Sequence, residues 1–176
     1  MTKKEKRKFK FHQGTYEGEV FEGFKVPDGL GTLTIKFGRF RGDKYEGEWK
    51  MNNFHGKGTY TSSEGWVCEG QWEESKKHGQ VKISNKDGSS YIGEYKHDNK
   101  HGIGTQIYPN GEKYEGGWYE NTYFGHGTKT YINGDKYIGK WRGGRREGKG
   151  KLLNPKGEII KEGEWDNDYF SEDEIE

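Results

Sequence analysis

Histidine, cysteine and carboxylate side chains are where chemistry would be sought first in this chain. His55, His78 and His101 each precede a glycine and stand 23 residues apart (78 − 55 and 101 − 78). A column of imidazoles suggests a metal only if the nitrogens converge on one ion at about 2 Å. Cys68 could be a nucleophile if a base stood beside it, but it occupies a position where other segments carry tyrosine, which reads as a packed thiol. Glutamates are abundant, yet they recur in phase with the rest of the sequence and single out no acid/base pair. No G-x-S-x-G, H-E-x-x-H, phosphate loop or dinucleotide fingerprint occurs. The expectation is therefore no catalytic residues, no cofactor, no metal site and no enzymatic activity.

The elements that would position these side chains follow from an internal repeat. Tyr45-Glu46-Gly47-Glu48-Trp49 returns as Cys68-Glu69-Gly70-Gln71-Trp72, Tyr91-Ile92-Gly93-Glu94-Tyr95, Tyr114-Glu115-Gly116-Gly117-Trp118 and Tyr137-Ile138-Gly139-Lys140-Trp141. The starts at 45, 68, 91, 114 and 137 are separated by 23 each time, with outlying copies at Tyr16 and Lys161. A second glycine pair keeps phase at Gly56/Gly58, Gly102/Gly104, Gly125/Gly127 and Gly148/Gly150, and a third mark falls at Asp87-Gly88, Asn110-Gly111 and Asn133-Gly134.

Side chains alternate along a strand, so Tyr45 and Trp49 share a face with Gly47 between them, while the glutamates point the other way. The glycine predicts a slot in which a ring from the neighbouring strand settles. A short polar loop over 51–54 leads to a second strand from Gly56, and the Asx-Gly pairs predict the tight turn into the next unit. One unit is one hairpin. Isolated hairpins are marginal, so the units must stack in series. At about 4.8 Å per strand each unit advances about 10 Å, which sets successive histidines of the column too far apart to share an ion. Six to seven units predict a ribbon roughly 60–70 Å long, twisted into a trough.

Composition agrees with such a fold. Only 27% of the residues are hydrophobic and 34% are charged, a disorder-prone balance. Against that, the net charge is +1 and aromatics reach 15%, so rings and 30 glycines must supply the core. Alanine is absent, and glycine costs a helix interior about 1 kcal/mol, so long helices are not expected. A single cysteine fits a reducing compartment. No apolar run is long enough to span a bilayer, and the basic start lacks an h-region, so a soluble cytoplasmic protein is expected.

The Y-E-G-E-W, H-G-x-G and D/N-G marks together resemble the MORN (membrane occupation and recognition nexus) repeat family, over Tyr16 to Trp165. The resemblance implies an all-β fold, an elongated single-layer antiparallel meander of stacked hairpins. The expected organisation is a basic N-terminal tail and partial strand over 1–15, an array over 16–165 with units starting at 16, 45, 68, 91, 114, 137 and 161, and an acidic tail over 166–176. The first unit is 29 residues long (45 − 16), which predicts irregular loops at Phe24–Pro27 and Phe37–Arg41.

A single-layer sheet has nothing to cover its ring-bearing face, and an uncovered apolar strip marks an interaction site. Tyr45, Trp49, Trp72, Tyr91, Tyr95, Tyr114, Trp118, Tyr137 and Trp141 therefore form the candidate partner-binding groove, suited to an extended peptide or a helix of another protein. The leading expectation is a non-catalytic scaffold or adaptor, part of a large complex. The family resemblance adds a cytoskeletal, ciliary or axonemal setting. The alternative is a peripheral phospholipid-binding module, for which only the basic segment Lys3–Lys10 looks suited. Nucleic acid is not expected, because a net charge of +1 lacks the electrostatic footprint. The opposite charges at the two ends also raise head-to-tail contact between chains, with Asp168, Glu172, Asp173, Glu174 and Glu176 as the acidic partners.

Overall fold

The computed structural model describes residues 3–171. Among them are fifteen antiparallel strands and no helix: β1 (Lys4–Phe11), β2 (Gly14–Phe21), β3 (Pro27–Ile35), β4 (Lys44–Lys50), β5 (Asn53–Thr61), β6 (Val67–Glu73), β7 (Lys76–Ser84), β8 (Ser90–Lys96), β9 (Asn99–Ile107), β10 (Lys113–Tyr119), β11 (Thr122–Thr130), β12 (Lys136–Arg142), β13 (Arg145–Leu153), β14 (Ile159–Asp166) and β15 (Tyr169–Phe170). The strands lie in the sheet in chain order, so the all-β open meander expected from the repeat is what forms. Among the described residues no helix is long and apolar enough to cross a membrane. Residues up to Lys86 with Lys96–Asp98 make one compact unit, and Asp87–Tyr95 with the residues from Asn99 onward make a second.

Two kinds of turn alternate, and the expected assignment of the tight one is corrected. Met51-Asn52, Glu74-Ser75 and Glu120-Asn121 have φ of 46° and 71°, 49° and 64°, and 45° and 67°. Positive φ at both central residues is the type I′ hairpin, which joins the two strands inside a repeat. Asn110-Gly111 closes a longer loop instead: the Tyr108 N–H donates to the Glu112 carbonyl at 2.9 Å, and the Gly111 N–H to the Tyr108 carbonyl at 2.9 Å. With Gly111 at φ 89° this is a three-residue loop ending in a glycine bulge. Both turn types need left-handed residues, so an Asx-Gly pair alone does not tell them apart.

The core is built from a tyrosine laid over two glycines. Register shifts follow the first glycine of a unit, as at Gly47/Glu48 and Gly116/Trp118. The shift leaves a carbonyl outside the ladder, and the unit's own tyrosine hydroxyl donates to it: Tyr45 to Glu48 O at 3.0 Å, Tyr91 to Glu94 O at 3.1 Å, Tyr114 to Gly117 O at 2.9 Å. To reach that acceptor the ring lies across Gly47 and its cross-strand partner Gly58, or across Gly116 and Gly127. The slot predicted at the glycine therefore exists, but it is filled by the unit's own tyrosine and not by a ring from the next strand.

The two ends of the array carry charged residues that are paired within the sheet. The basic segment is a full strand, β1, paired with β2 from Lys4↔Phe21 to Phe11↔Gly14. Lys4 pairs with Asp28 at 2.6 Å and Lys8 with Glu17 at 2.7 Å. At the other end Asp168 accepts from the Arg146 backbone N–H at 2.9 Å and its Nε at 3.0 Å. Glu172, Asp173, Glu174 and Glu176 lie outside the described residues.

Candidate functional site

All nine rings of the predicted groove are buried, from 0% exposure at Tyr114 and Tyr137 to 7% at Trp72. The expectation of an uncovered aromatic strip is thus corrected. Where a repeat carries both rings they meet edge to face: Tyr45 on Trp49 at 5.4 Å, Tyr114 on Trp118 at 5.2 Å, Tyr137 on Trp141 at 5.0 Å. Such pairs add about 0.5–1.5 kcal/mol beyond burial. The tryptophans of the groove also donate their indole N–H to a glycine carbonyl of the preceding hairpin, Trp49 to Gly31, Trp72 to Gly58, Trp118 to Gly104 and Trp141 to Gly127, all at 3.1 Å.

The sheet supplies its own cover, from residues the ring motif did not single out. Phe54 stacks on Tyr45 at 3.7 Å and Tyr123 on Tyr114 at 3.6 Å. At the equivalent position Lys100 sets its ammonium 4.7 Å from both the Tyr91 and Trp118 rings, and Arg146 sets its guanidinium 4.1 Å from the Trp165 ring. These positions, 54, 77, 100, 123 and 146, repeat every 23 residues, so the period carried the signal. Their types differ (Phe, Lys, Lys, Tyr, Arg), which hid the column.

Burial sets the protonation chemistry of this layer. It pushes the Tyr45, Tyr91 and Tyr114 hydroxyls well above the usual range, and Tyr137 to about 12. Cys68, fully buried, is pushed up to about 11, so the thiolate a nucleophile requires is disfavoured. Desolvation draws the Lys100 ammonium down to about 8 from 10.5. Between those values the unfolded chain binds more protons than the folded one, so this residue makes stability rise with pH. Below about 8 both states carry the charge, and the full burial cost is present. The expected result is that Lys100→Met, measured against wild type by thermal unfolding, loses ground steadily as pH rises from about 8 to about 10. A difference that stays flat over that range would show that burial does not govern this ammonium.

The opposite face is open. In the second unit it exposes Ile103 (66%), Ile92 (56%) and Phe124 (50%), together with Ile107, Tyr119 and Ile138. Alternation explains this: Ile92 follows the buried Tyr91, and Ile103 precedes Gly104, whose Cβ position faces the Tyr91 ring. On this face a hollow of about 900 Å³, spanning β11 to β14, is lined by Gly127, Gly139, Gly150 and Gly163, with Thr128, Lys149, Glu162 and, of these exposed apolar residues, Ile138 as its walls. The glycine rows that admit tyrosines on one face leave bare backbone on the other. In the histidine column, His55, His78 and His101 sit on β5, β7 and β9, each partly buried.

A meander of 23-residue hairpins, with rings and glycines packed on one face, defines a tandem-repeat β protein. The MORN repeat family model matches residues 45–67, 68–89, 91–113, 114–136 and 137–159, more than half of the sequence, and the chain belongs to the MORN repeat family. Among curated protein sequences none matches it. Two solved structures similar to it are the TCP10 domain of Danio rerio CPAP in complex with a peptide of Danio rerio STIL, and the SAS-4 (dCPAP) TCP domain of Drosophila melanogaster in complex with a proline-rich motif of Ana2 (dSTIL). The first is 11% identical, covering 90% of this chain and 73% of that one, with a TM-score of 0.43. The second is 11% identical, covering 91% and 90%, with a TM-score of 0.44.

Proposed function

We propose that this protein is a non-catalytic scaffold that binds a partner protein through the open face of its second unit. The observation that carries this reading is a glycine-lined hollow walled by exposed Ile138, on the face that also exposes Ile92, Ile103 and Phe124, while the ring column opposite is spent on the core. Exposed apolar side chains on a face that also holds a concavity favour association. A floor without Cβ atoms lets an extended segment approach the backbone closely. The occupant that fits is an extended peptide with apolar side chains, the polar walls of Lys149, Lys151, Glu162 and Glu164 fixing its direction. The nine rings act indirectly, by holding the glycine rows in place.

Membership of a large cytoskeletal, ciliary or axonemal complex is supported by the family resemblance alone. Phospholipid binding has less support, since Lys4 and Lys8 of the basic strand already face carboxylates. Deleting residues 2–10 would remove most of β1, so replacing Lys6 and Lys10 with glutamine is the cleaner lipid test.

For the scaffold reading, an Ile103→Glu/Ile138→Glu variant should unfold within about 1 kcal/mol of wild type, both sites being surface positions. It should lose the proteins that wild type captures from a cell extract. Capture of the same proteins by the variant would place binding elsewhere.

A further inference from the structure

The geometry points to a divalent transition-metal site of the zinc class on the first of the two compact units, formed by Glu73, His78 and His97. Spacing within the histidine column argued against a shared ion, and the column members indeed come from separate hairpins. The fold adds a ligand from outside the column. Glu73 closes β6 and His78 lies on β7, across the Glu74-Ser75 turn, while His97 is the first residue of the next type I′ turn, with φ 46°. That turn carries His97 back over the preceding hairpin. Its tip is anchored there, the Asp98 N–H donating to the Lys77 carbonyl at 3.0 Å and the Asp98 carboxylate accepting from the Lys77 N–H at 3.0 Å.

His78 Nδ1 lies 3.2 Å and His97 Nε2 3.5 Å from the same Glu73 oxygen, and one ligand atom from each residue falls within 4.8 Å of the others. Bonds of about 2.0–2.1 Å in a tetrahedral shell put neighbouring ligand atoms roughly 3.3 Å apart. Two of the three separations are therefore already of ligand-pair size, and the third closes with a small rotation of His97, a half-exposed turn residue. His78 Nδ1 is shielded from solvent and makes no hydrogen bond, and it lies on the side of the ring toward Glu73. Two imidazoles and a carboxylate with open positions for water form a set that suits zinc, and copper more strongly still.

The repeat supplies an internal comparison. The same three positions one unit earlier are Lys50, His55 and Glu74, and one unit later Lys96, His101 and Glu120. Each neighbouring set substitutes an ammonium for the carboxylate and a carboxylate for the second imidazole. Only the middle set offers three ligands without a cation among them.

The test is titration of the full, untagged chain with zinc chloride by calorimetry. One saturable site per chain is expected in wild type, retained in His55→Ala and His101→Ala. It should be lost in a His78→Ala/His97→Ala double variant and weakened at least about tenfold by Glu73→Gln. All three ligands are substantially exposed, so unfolding midpoints without metal should stay near wild type, and zinc should raise the midpoints of wild type, His55→Ala and His101→Ala but not that of the His78→Ala/His97→Ala double variant. Absence of saturable binding in wild type, or binding that persists in the double variant, overturns the site. Binding that needs His78 but not His97 overturns the three-ligand set.

Discussion

Gly127→Ala is expected to cost about 3 kcal/mol, at the upper end of overpacking penalties. For a chain of this length that lowers the unfolding midpoint by about 6–12 °C. A methyl on Gly127 would stand 2.6 Å from Tyr114 Cζ and 2.8 Å from Cε2, and closer still to the hydroxyl oxygen. Tyr114 has nowhere to retreat. Tyr123 stacks on its outer side at 3.6 Å, and Trp118 and Trp141 abut it at 5.2 Å and 5.5 Å. Its hydroxyl is held by the Gly117 carbonyl. The backbone cannot yield either, because Gly116 and Gly127 are paired across the ladder. Two comparisons isolate the steric cause. Gly111→Ala, at φ 89° with open space around it, should cost only the left-handed strain of about 1–2 kcal/mol. Adding Tyr114→Phe removes the atom nearest the methyl and should recover part of the Gly127→Ala loss. Equal penalties at Gly127 and Gly111, or no recovery, would show that the tyrosine does not need the glycine floor.

Trp118→Ala should cost about 3–5 kcal/mol, the range for truncating a large buried ring. Its ring contacts Tyr91 at 5.4 Å, Tyr114 at 5.2 Å and Tyr123 at 4.9 Å, so one deletion loosens two consecutive units. The Gly104 carbonyl also loses its indole donor, and the Lys100 ammonium loses one of its two aromatic neighbours. Trp118→Phe separates these contributions. It keeps an edge-to-face ring and should cost chiefly the hydrogen bond, about 1 kcal/mol, plus the smaller ring's lost contacts. Chemical denaturation of the three proteins checks the order. If Trp118→Ala stays within about 1 kcal/mol of wild type, the ring column is not what holds the units together and its claim as a binding surface revives. The same reasoning makes any binding defect of a Tyr114 or Trp118 truncation a stability effect until folding has been measured.

Much of this molecule is set by local pattern. The 23-residue phase, the hairpin in each unit and the ring–glycine–ring alternation depend on neighbours two residues apart, so Tyr45, Gly47 and Trp49 sort to one face from sequence alone. The expected irregular loops around Phe24–Pro27 and Phe37–Arg41 correspond to the breaks between β2 and β3 and between β3 and β4. The basic start was harder to read: Lys4–Phe11 alternates charge with Phe9 and Phe11, but its strand pairing depends on β2 being there to receive it.

What the tertiary structure decided are the relations across strands. A bulge after the first glycine turns the tyrosine down onto its cross-strand glycine, and no alternation rule in one strand contains that shift. Phe54, Lys100, Tyr123 and Arg146 become a second layer because the type I′ turns set each of them over a ring nine residues earlier in the chain. That layer buries the column that sequence alone presents as a groove, and it leaves the glycine-floored side as the open face. The same turns carry His97 to Glu73 and His78, residues 24 and 19 positions away, a distance at which period and composition are silent. Local periodicity fixes what each strand is, and the bulges and turns between strands fix which of its side chains remain free to meet anything else.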